Sequence, residues 1–475
     1  MPDAVNSRLM TSAQPIPLTT RQAIAVGVAA IACFHAAYSL SEYVIPQALI
    51  VGYVICLVQM ARVATARQAF YLGLSVGFLC FAPQLVFFWK LFNIEAAILW
   101  LILAVWIALF VSLTQATLAR FGTKVAALLV SFIWMGLEYF RSELYYLKFS
   151  WLNVSYALIG WDESLLRVFG MYGVGFLAAA IAAAWLVIRS RITAALITLG
   201  LLAVLKLAAL KSPAPAGTPG IRAAAVQMEF PQEIEIAPAL DKLATAHPDA
   251  DLIVLSEYTL DGPVPESLKA WCRKTKHHLM VGGKDPAKNG NYFDTAFVVS
   301  PAGEVVFHQG KSVPIPFFDD GLPASSQAVW ESPWGKIGVC VCYDLSYTRV
   351  TDELVRQGAR ILVVPAMDVT GWGEQEHISN GRVAPVRAAE YGIPIVRVGS
   401  SGISEVVNGN GRLIATAPFP GQGEMLFAAV ELPKGGTRPL DRWLAPFSVL
   451  IVALLLLVHL TWRWTFGKSA RLASA

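Results

Sequence analysis

Three residues with complementary chemistry follow apolar, strand-like segments in the second half of this 475-residue chain: Glu257, Lys311 and Cys342. A cysteine is a good nucleophile only as the thiolate, so it needs a nearby cation or base. Lys311 can supply the cation and stabilise a developing oxyanion, while Glu257 can take the thiol proton and return it. Taken singly, each residue fits an ordinary role as core cysteine, helix cap or solvated lysine. The ordered trio instead predicts acyl chemistry on Cys342.

The residues after the cysteine fit a supporting role. Tyr343 and Asp344 directly follow Cys342 in the sequence. An aromatic ring can pack beneath the nucleophile, and a carboxylate can accept hydrogen bonds from backbone amides of a turn. Cys340 lies two positions earlier on the same apolar run and is expected to be a core residue.

The region that holds these residues alternates between strand and helix patterns. Strands are predicted at 221–227, 252–256, 279–282, 296–300, 336–342, 361–365 and 393–398, and helices at 240–246, 266–276, 352–357 and 377–391. Such alternation favours an α/β domain, in which functional side chains gather where strands end. A segment rich in proline and glycine, 213–220, precedes it and predicts a linker.

Composition points to a membrane protein. Hydrophobic residues make up 56% of the chain and charged residues only 15%, against about 25% charged in soluble proteins. The net charge of +4 is too small to indicate nucleic-acid binding. The six cysteines show neither paired zinc-ligand spacing nor a disulfide framework. We therefore expect no metal and no cofactor.

Eight apolar segments approach or reach the length of about 20 residues that a bilayer requires. They are Ala23–Leu40, Ile45–Ala61, Ala69–Trp89, Ala96–Leu118, Val125–Phe140, Val168–Ile188, Thr193–Leu210 and Leu444–Trp462. Val125–Phe140 is short and contains Glu138, so a buried core helix is the alternative there. With eight spans, the basic residues of alternate loops and both termini fall on one side, as the positive-inside rule requires.

This topology predicts the domain organisation and places the α/β domain on the outer side of the membrane. The predicted parts are a cytoplasmic tail 1–20, seven spans within 21–212, the linker 213–220, the α/β catalytic domain 221–440, the eighth span 443–463 and a cytoplasmic tail 464–475.

Charged and aromatic residues are mixed between positions 138 and 165. Glu138, Arg141 and Glu143 precede several aromatic residues, including Trp151. One interpretation is an interfacial aromatic belt with charges that reach the membrane surface. The other is part of a lipid or acceptor site, since ionisable groups at membrane depth are costly and often functional.

Together these motifs resemble the apolipoprotein N-acyltransferase family, the integral-membrane branch of the nitrilase (carbon–nitrogen hydrolase) superfamily. In the membrane half, Glu138–Arg141 resembles that family's E-x-x-R motif, and 149–156 resembles its F-P-W-x-x-x-G-Y motif. In the α/β domain, the segment from Lys311 to Asp319 resembles the family's K-x-H-L-V-P-F-G-E motif, and residues 342–344 resemble its C-Y-E motif. The segments 387–390 and 399–404 resemble R-A-x-E and N-T-G-x-S.

The resemblance implies a fold and a reaction. The outer domain should be an α-β-β-α sandwich with a Glu257–Lys311–Cys342 triad. The cysteine should take an acyl chain from a phospholipid as a thioester and pass it to the α-amine of a diacylglyceryl-cysteine apolipoprotein. Bacterial inner membrane and a periplasmic catalytic domain are implied too.

The resemblance also assigns supporting residues. The family's second glutamate falls on Asp319, and candidate lipid or acceptor contacts are Phe317, Phe318, Trp372 and Trp151.

Departures from the family motifs leave the acceptor open. Ser256 stands where the family usually has proline, Asp319 where it has glutamate, and Ser400 where it has asparagine. Alternatives are therefore a paralogue with another amine acceptor, or a membrane-tethered amidase that lets water resolve the thioester. A non-catalytic scaffold and a transporter fit the sequence less well, because the triad is intact and the membrane half shows no clear repeat.

Overall fold

The N-terminal half is a bundle of apolar helices. The computed structural model describes residues 17–39, 47–159, 163–209 and 218–472. The helices before the catalytic domain are α1 Thr20–Ser39, α2 Leu49–Met60, α3 Ala66–Gln84, α4 Phe87–Phe92, α5 Ala96–Tyr139, α6 Val154–Ala157, α7 Glu163–Val187 and α8 Arg191–Ala209. The predicted tail residues 1–16 and 473–475 and linker residues 213–217 lie outside the described part.

Helix α5 is a helical hairpin. Its 44 residues would measure about 66 Å if straight, twice the hydrocarbon thickness. Gly122 interrupts it with φ +76°, a conformation that favours glycine. Phe110 packs on Trp134 at 4.9 Å and Trp106 on Phe140 at 5.7 Å between ring centroids. Both pairs are centred near Gly122, so the chain doubles back there, and the fourth and fifth predicted spans are the two arms.

Several helices are apolar enough to cross a membrane. By length and hydropathy these are Thr20–Tyr38, the segment Phe87–Leu144, Ser164–Val187 and Asp441–Thr461. The shorter α2 is apolar too. The N-terminal half is therefore an α-helical membrane domain, as the composition predicted.

The C-terminal half contains two six-stranded sheets. The strands are β1 Thr218–Val226, β2 Leu252–Val254, β3 His278–Pro286, β4 Tyr292–Val299, β5 Val305–Gly310, β6 Val329–Ser332, β7 Gly335–Val339, β8 Ile361–Ala366, β9 Ile395–Gly399, β10 Ser404–Val407, β11 Leu413–Ala417 and β12 Met425–Leu432. Their order is β12-β1-β2-β3-β4-β5 in the first sheet and β11-β10-β9-β8-β7-β6 in the second. In each sheet the central strands pair in parallel and the outer ones antiparallel.

The sheets are stacked between helices. The helices of this half are α9 Glu233–Ala246, α10 Glu266–Thr275, α11 Thr348–Arg356, α12 Glu374–Asn380 and α13 Val383–Tyr391, followed by α14 Asp441–Leu472. One core lies between the sheets, and a second lies under α9 and α10. This is the expected α-β-β-α sandwich.

The outer face of the second sheet shares its core with the membrane domain. Side chains of α11 and α13 belong to the same buried cluster as those of the membrane helices. Polar contacts cross the same boundary: Glu390 of α13 accepts the backbone N–H of Met171 at 3.0 Å, and Arg387 lies 4.0 Å from Glu143. The catalytic domain is thus packed onto the membrane domain through a mixed apolar and ionic interface.

Most predicted elements of the α/β half have counterparts, and one helix is divided. All seven predicted strands overlap observed strands. The predicted helix 377–391 is two helices, α12 and α13, separated at Gly381 and Arg382. Short edge strands such as β6 and β11 were missed, because four or five residues with mixed burial leave little periodicity.

Candidate active site

Strand ends from both sheets bring Glu257, Lys311 and Cys342 together. Glu257 follows β2, Lys311 follows β5, and Cys342 begins a short 3-10 turn after β7. The Lys311 Nζ lies 2.7 Å from Glu257 Oε1. The Cys342 thiol interacts electrostatically with both residues and donates to the Met367 carbonyl at 3.9 Å. The structure therefore places the three predicted residues side by side at one end of the sandwich.

Glu257 is held from several directions. Its Oε2 accepts the backbone N–H of Met367 at 2.6 Å. Gly282 passes directly behind its backbone, where a Cβ would come within 2.5 Å of the Glu257 Cα. Any side chain at position 282 would push the carboxylate away, so this glycine is required for the close approach.

Lys311 is enclosed by acidic side chains. Besides Glu257, its ammonium lies 2.8 Å from Asp320 Oδ2 and 3.5 Å from Asp294 Oδ2. Lys311, Glu257 and Asp294 side chains are fully buried. The lysine is a fixed cation at the centre of a carboxylate cluster, which we name the lysine cluster (Glu257, Asp294, Lys311, Asp320).

The sequence analysis assigned the family's second acid to Asp319, and the structure corrects this by one residue. Asp319 is exposed, and its backbone carbonyl accepts a hydrogen bond from Tyr292. Asp320 points inward instead, because its carboxylate accepts the Ile315 N–H at 2.6 Å and the Tyr258 hydroxyl at 3.0 Å. Adjacent aspartates in a loop cannot be told apart without these tertiary contacts.

Sequence reasoning missed Asp294 altogether. It is the third residue of β4, between Phe293 and Thr295, and it is fully buried. Burial, and then the charge of Glu257, raise the pKa of Asp294 well above its usual range. A carboxylic residue inside an otherwise apolar strand was the signal that could have found it.

The ionisation of the trio follows from its surroundings. Burial alone would raise the pKa of Glu257, but the charge of Lys311 and hydrogen bonds bring it below its usual value. Burial works against the charge of Lys311, yet Glu257 and its other acidic neighbours raise the pKa of the lysine well above normal. Burial and the charge of Glu257 raise the pKa of the Cys342 thiol well above normal, against Lys311. At neutral pH the resting site therefore holds a carboxylate, an ammonium and a thiol.

Asp344 ties the nucleophile turn to the lysine loop. Cys342 has φ +49°, a strained conformation for a non-glycine residue. The Asp344 carboxylate accepts the backbone N–H groups of Ser312 at 3.0 Å, Val313 at 2.7 Å and Val341 at 3.4 Å. Burial raises its pKa to about 6, although these hydrogen bonds oppose the rise.

Tyr343 faces the membrane domain. Its hydroxyl donates to the Lys148 carbonyl at 3.3 Å, and its ring lies 6.5 Å from that of Trp151. Trp151 in turn donates to Ser346 at 3.4 Å. Tyr343 and Trp151 therefore fix the nucleophile turn against the membrane helices.

An apolar cavity of about 120 Å³ opens onto Cys342. Its walls come from α4, from the first arm of α5 and from loops of the catalytic domain. All four predicted lipid or acceptor contacts line it: Phe317, Phe318, Trp372 and Trp151. Phe318 packs between Phe92 of the membrane domain at 5.8 Å and Trp372 at 6.2 Å. Aromatic side chains from both domains thus enclose the thiol.

The charges near position 140 are buried rather than spread over a membrane surface. Glu138, Arg141 and Glu143 are each at most 6% exposed. Glu143 accepts the Tyr172 hydroxyl at 2.9 Å and the Thr348 N–H at 3.0 Å, so it joins the two domains. Arg141 donates to Asn153 and lines the cavity. The aromatic-belt interpretation with exposed charges is therefore wrong for these three residues.

Two family models match this chain and together span both halves. The model described as apolipoprotein N-acyltransferase N-terminal domain matches residues 26–184. The model described as carbon–nitrogen hydrolase matches residues 207–437.

Curated relatives match over most of the chain. An apolipoprotein N-acyltransferase of Geobacter metallireducens is 25% identical over 439 residues, with 78% of this chain and 82% of that protein covered. One of Shewanella oneidensis is 27% identical over 461 residues, with 82% and 87% covered. A nitrilase homolog 2 of Dictyostelium discoideum is 28% identical over 181 residues, with 33% and 54% covered. With both family models in order along one chain, this protein belongs to the apolipoprotein N-acyltransferase family of the nitrilase superfamily.

Proposed function

We propose that this protein moves an acyl chain from a phospholipid to the N-terminal α-amine of a diacylglyceryl-cysteine apolipoprotein, through a thioester on Cys342. The observation that carries the proposal is the position of the trio. Glu257, Lys311 and Cys342 meet at the end of an apolar cavity whose walls come from both the membrane and the catalytic domain. The apolar walls suit a lipid acyl chain better than a charged, water-soluble amide.

In the first half-reaction, Glu257 acts as general base. Its carboxylate takes the thiol proton while the Cys342 sulfur attacks the ester carbonyl carbon. The oxyanion that forms is stabilised by the Lys311 ammonium. Collapse breaks the ester bond, the proton passes from Glu257 to the departing glycerol oxygen, and a lysophospholipid leaves.

In the second half-reaction, the acceptor amine replaces the lysophospholipid. Its nitrogen attacks the thioester carbonyl, Glu257 takes the amine proton, and the proton returns to the Cys342 sulfur as the C–S bond breaks. The aromatic enclosure of Phe318 and Trp372 limits water at the thioester, which favours transfer over hydrolysis.

The proposed location is the bacterial inner membrane, with the catalytic domain on the periplasmic side. Arg62 and Arg191 lie close enough to interact electrostatically and mark one end of the bundle. The catalytic domain packs on the opposite end, where Arg382 donates to the Tyr38 carbonyl. Basic loop residues face the cytoplasm in most membrane proteins, which supports this orientation.

Intact-mass analysis tests the proposal. The purified protein is incubated with phospholipid, then with a synthetic diacylated lipopeptide. We expect a mass increase of one acyl chain, absent in Cys342→Ala, which disappears as the lipopeptide gains the chain. Discharge to water alone would indicate a hydrolase, and discharge to a simpler amine but not to the lipopeptide would indicate a paralogue with another acceptor. Absence of any adduct with phospholipid would refute the proposed donor.

A further inference from the structure

A second buried group of ionisable residues lies near Cys342. Asp368 follows β8, and Glu376 and His377 are neighbours on α12. Their residues are 0%, 2% and 0% exposed. We name these three residues the histidine cluster. The charge of Asp368 acts on the Cys342 thiol, and Glu376 lines the same cavity as Cys342.

One side of this cluster is neutralised by an arginine. Arg397 of β9 pairs with Asp368 Oδ2 and lies 4.0 Å from Glu405. Asn380 donates to Asp368 Oδ1 at 2.8 Å. Within the described residues Arg397 forms no ion pair with Glu376, so the cation lies at the edge of the group rather than at its centre.

The other side holds polar atoms that lack partners. In the part of the chain that the structure describes, Glu376 Oε2 and both ring nitrogens of His377 are buried without a hydrogen bond. The ring of Phe419 stacks on the imidazole at 4.1 Å and closes it off from solvent. Buried polar groups are nearly always satisfied, so three such atoms in one place call for a ligand.

These atoms lie close enough together to converge on one metal ion after movement of the side chains. The donor atoms of Asp368, Glu376 and His377 all lie within 4.8 Å of one another. His377 Nδ1 is 3.1 Å from Glu376 Oε2 without hydrogen-bond geometry. Two ligand atoms bound at about 2.1 Å to the same zinc ion are roughly 3.0 to 3.4 Å apart.

The absence of a side chain at Gly402 leaves room between Asp368 and His377. A Cβ at Gly402 would come within 2.7 Å of His377 Nδ1 and 2.5 Å of the Asp368 Cβ. Glycine at 402 therefore allows the imidazole and the carboxylate to converge.

We propose that Asp368, Glu376 and His377 bind a divalent transition-metal ion. One imidazole and two carboxylates match zinc better than magnesium, which prefers oxygen ligands and water. The ion would join α12 to the end of β8 and so fix the cavity wall beside Cys342. Because Arg397 shares Asp368, we expect weaker binding than at a four-ligand structural zinc site. The site does not depend on the acyl-transfer reaction.

Metal uptake by the full-length protein in detergent tests the site. The protein carries an affinity tag without histidines and the Cys342→Ala substitution, so that the nucleophile cannot bind zinc. After chelator treatment it is incubated with Zn²⁺, desalted and analysed by elemental mass spectrometry, with Mg²⁺ as the comparison ion. We expect about one equivalent of zinc and a rise in the unfolding temperature.

Matched variants locate the bound ion. Glu376→Gln and His377→Ala should each weaken zinc binding by about 10-fold or more. Glu374→Gln, two residues earlier on the same helix and exposed, should bind like the parent. Co²⁺ should give a visible absorption band in the parent and the Glu374 variant alone, which tests coordination without reference to folding yield. Failure of the parent to take up zinc, or equal uptake by all variants, would overturn the proposal.

Discussion

The lysine cluster and the histidine cluster, which both lie near Cys342, differ in where their cation lies. In the lysine cluster, the ammonium of Lys311 lies 2.7 Å from Glu257, 2.8 Å from Asp320 and 3.5 Å from Asp294. In the histidine cluster, Arg397 touches Asp368 at the edge, and among the described residues no lysine or arginine forms an ion pair with Glu376.

This difference has a chemical consequence. A flexible lysine on a strand end can place a single compact charge among three carboxyl groups, whereas a planar guanidinium binds along one side. The lysine cluster therefore receives its central cation from this chain and is ready for proton transfer. The histidine cluster has the donors but not the central charge, which is why we assign it an external cation.

Cys342→Ala should have the largest effect, since it removes the nucleophile. We expect acyl-enzyme formation to disappear and turnover to fall by about 10⁴-fold or more. Intact-mass analysis with phospholipid measures the adduct.

Cys340→Ala is the matched control for that change. Cys340 is two positions earlier and fully buried in the core, so its variant should lose stability but keep the adduct. An adduct of unchanged yield in Cys342→Ala would exclude the thioester mechanism.

Lys311→Met should have the second-largest effect, because it leaves the three carboxyl groups of the lysine cluster without their central positive charge. Breaking a buried ion pair by removing one partner costs about 3–5 kcal/mol. We expect a loss of that order in the free energy of unfolding, together with loss of the acyl-enzyme. Thermal or denaturant unfolding in detergent checks it.

Lys284→Met provides the control for charge removal. Lys284 pairs with Asp261 at 2.5 Å, but the Asp261 side chain is 90% exposed. Exposed pairs contribute little, so this variant should stay within about 1 kcal/mol of the parent. If Lys311→Met and Lys284→Met lowered the free energy of unfolding equally, the lysine cluster would not stabilise the domain.

The sequence could predict the trio but not its surroundings. Glu257, Lys311 and Cys342 each follow an apolar strand, and strand ends of a sandwich converge, so order and spacing were enough to place them together. Asp320 and Asp294 depend on tertiary contacts that leave no periodic signal. The same holds for the histidine cluster, whose members come from a loop and a short helix.

The elements of the fold also divide into those that the sequence predicted and those that it did not. Central strands such as β2 and β8 are continuous apolar runs and were predicted, because both faces are buried. The doubling back of α5 at Gly122 was implied only by counting spans. The break between α12 and α13 had a signal that the sequence analysis missed, since Gly381 can end a helix and Pro385 is tolerated only in the first turn of the next one.

Asp320→Asn should have a smaller effect on turnover than loss of Lys311. The amide keeps the size of the side chain but removes one of the charges that hold the ammonium at 2.8 Å. We expect a loss of about 100-fold in acyl-enzyme formation. The exposed neighbour supplies the control: Asp319→Asn should remain within about twofold of the parent. If Asp319→Asn instead reduced acyl-enzyme formation more than Asp320→Asn, Asp319 would be the supporting acid, as the sequence analysis predicted.

The smallest expected effect is a change in the pH at which Cys342 reacts with iodoacetamide in the Glu257→Gln variant. Burial and the charge of Glu257 both raise the pKa of the thiol, and Lys311 lowers it. Removing the carboxylate charge takes away one cause of the rise and leaves Lys311 less neutralised. The thiolate should therefore form at lower pH, so labelling should begin at lower pH even though acyl transfer is lost.

Peptide mass spectrometry can follow labelling of Cys342 alone across a pH series. Glu331→Gln is the control, since that side chain is 71% exposed, and its labelling curve should match the parent's. A curve for Glu257→Gln that stays in place or moves to higher pH would mean that Glu257 does not act on the thiol through its charge. The lysine cluster would then be a structural ion-pair network beside the nucleophile, and the contrast with the histidine cluster would lose its chemical meaning.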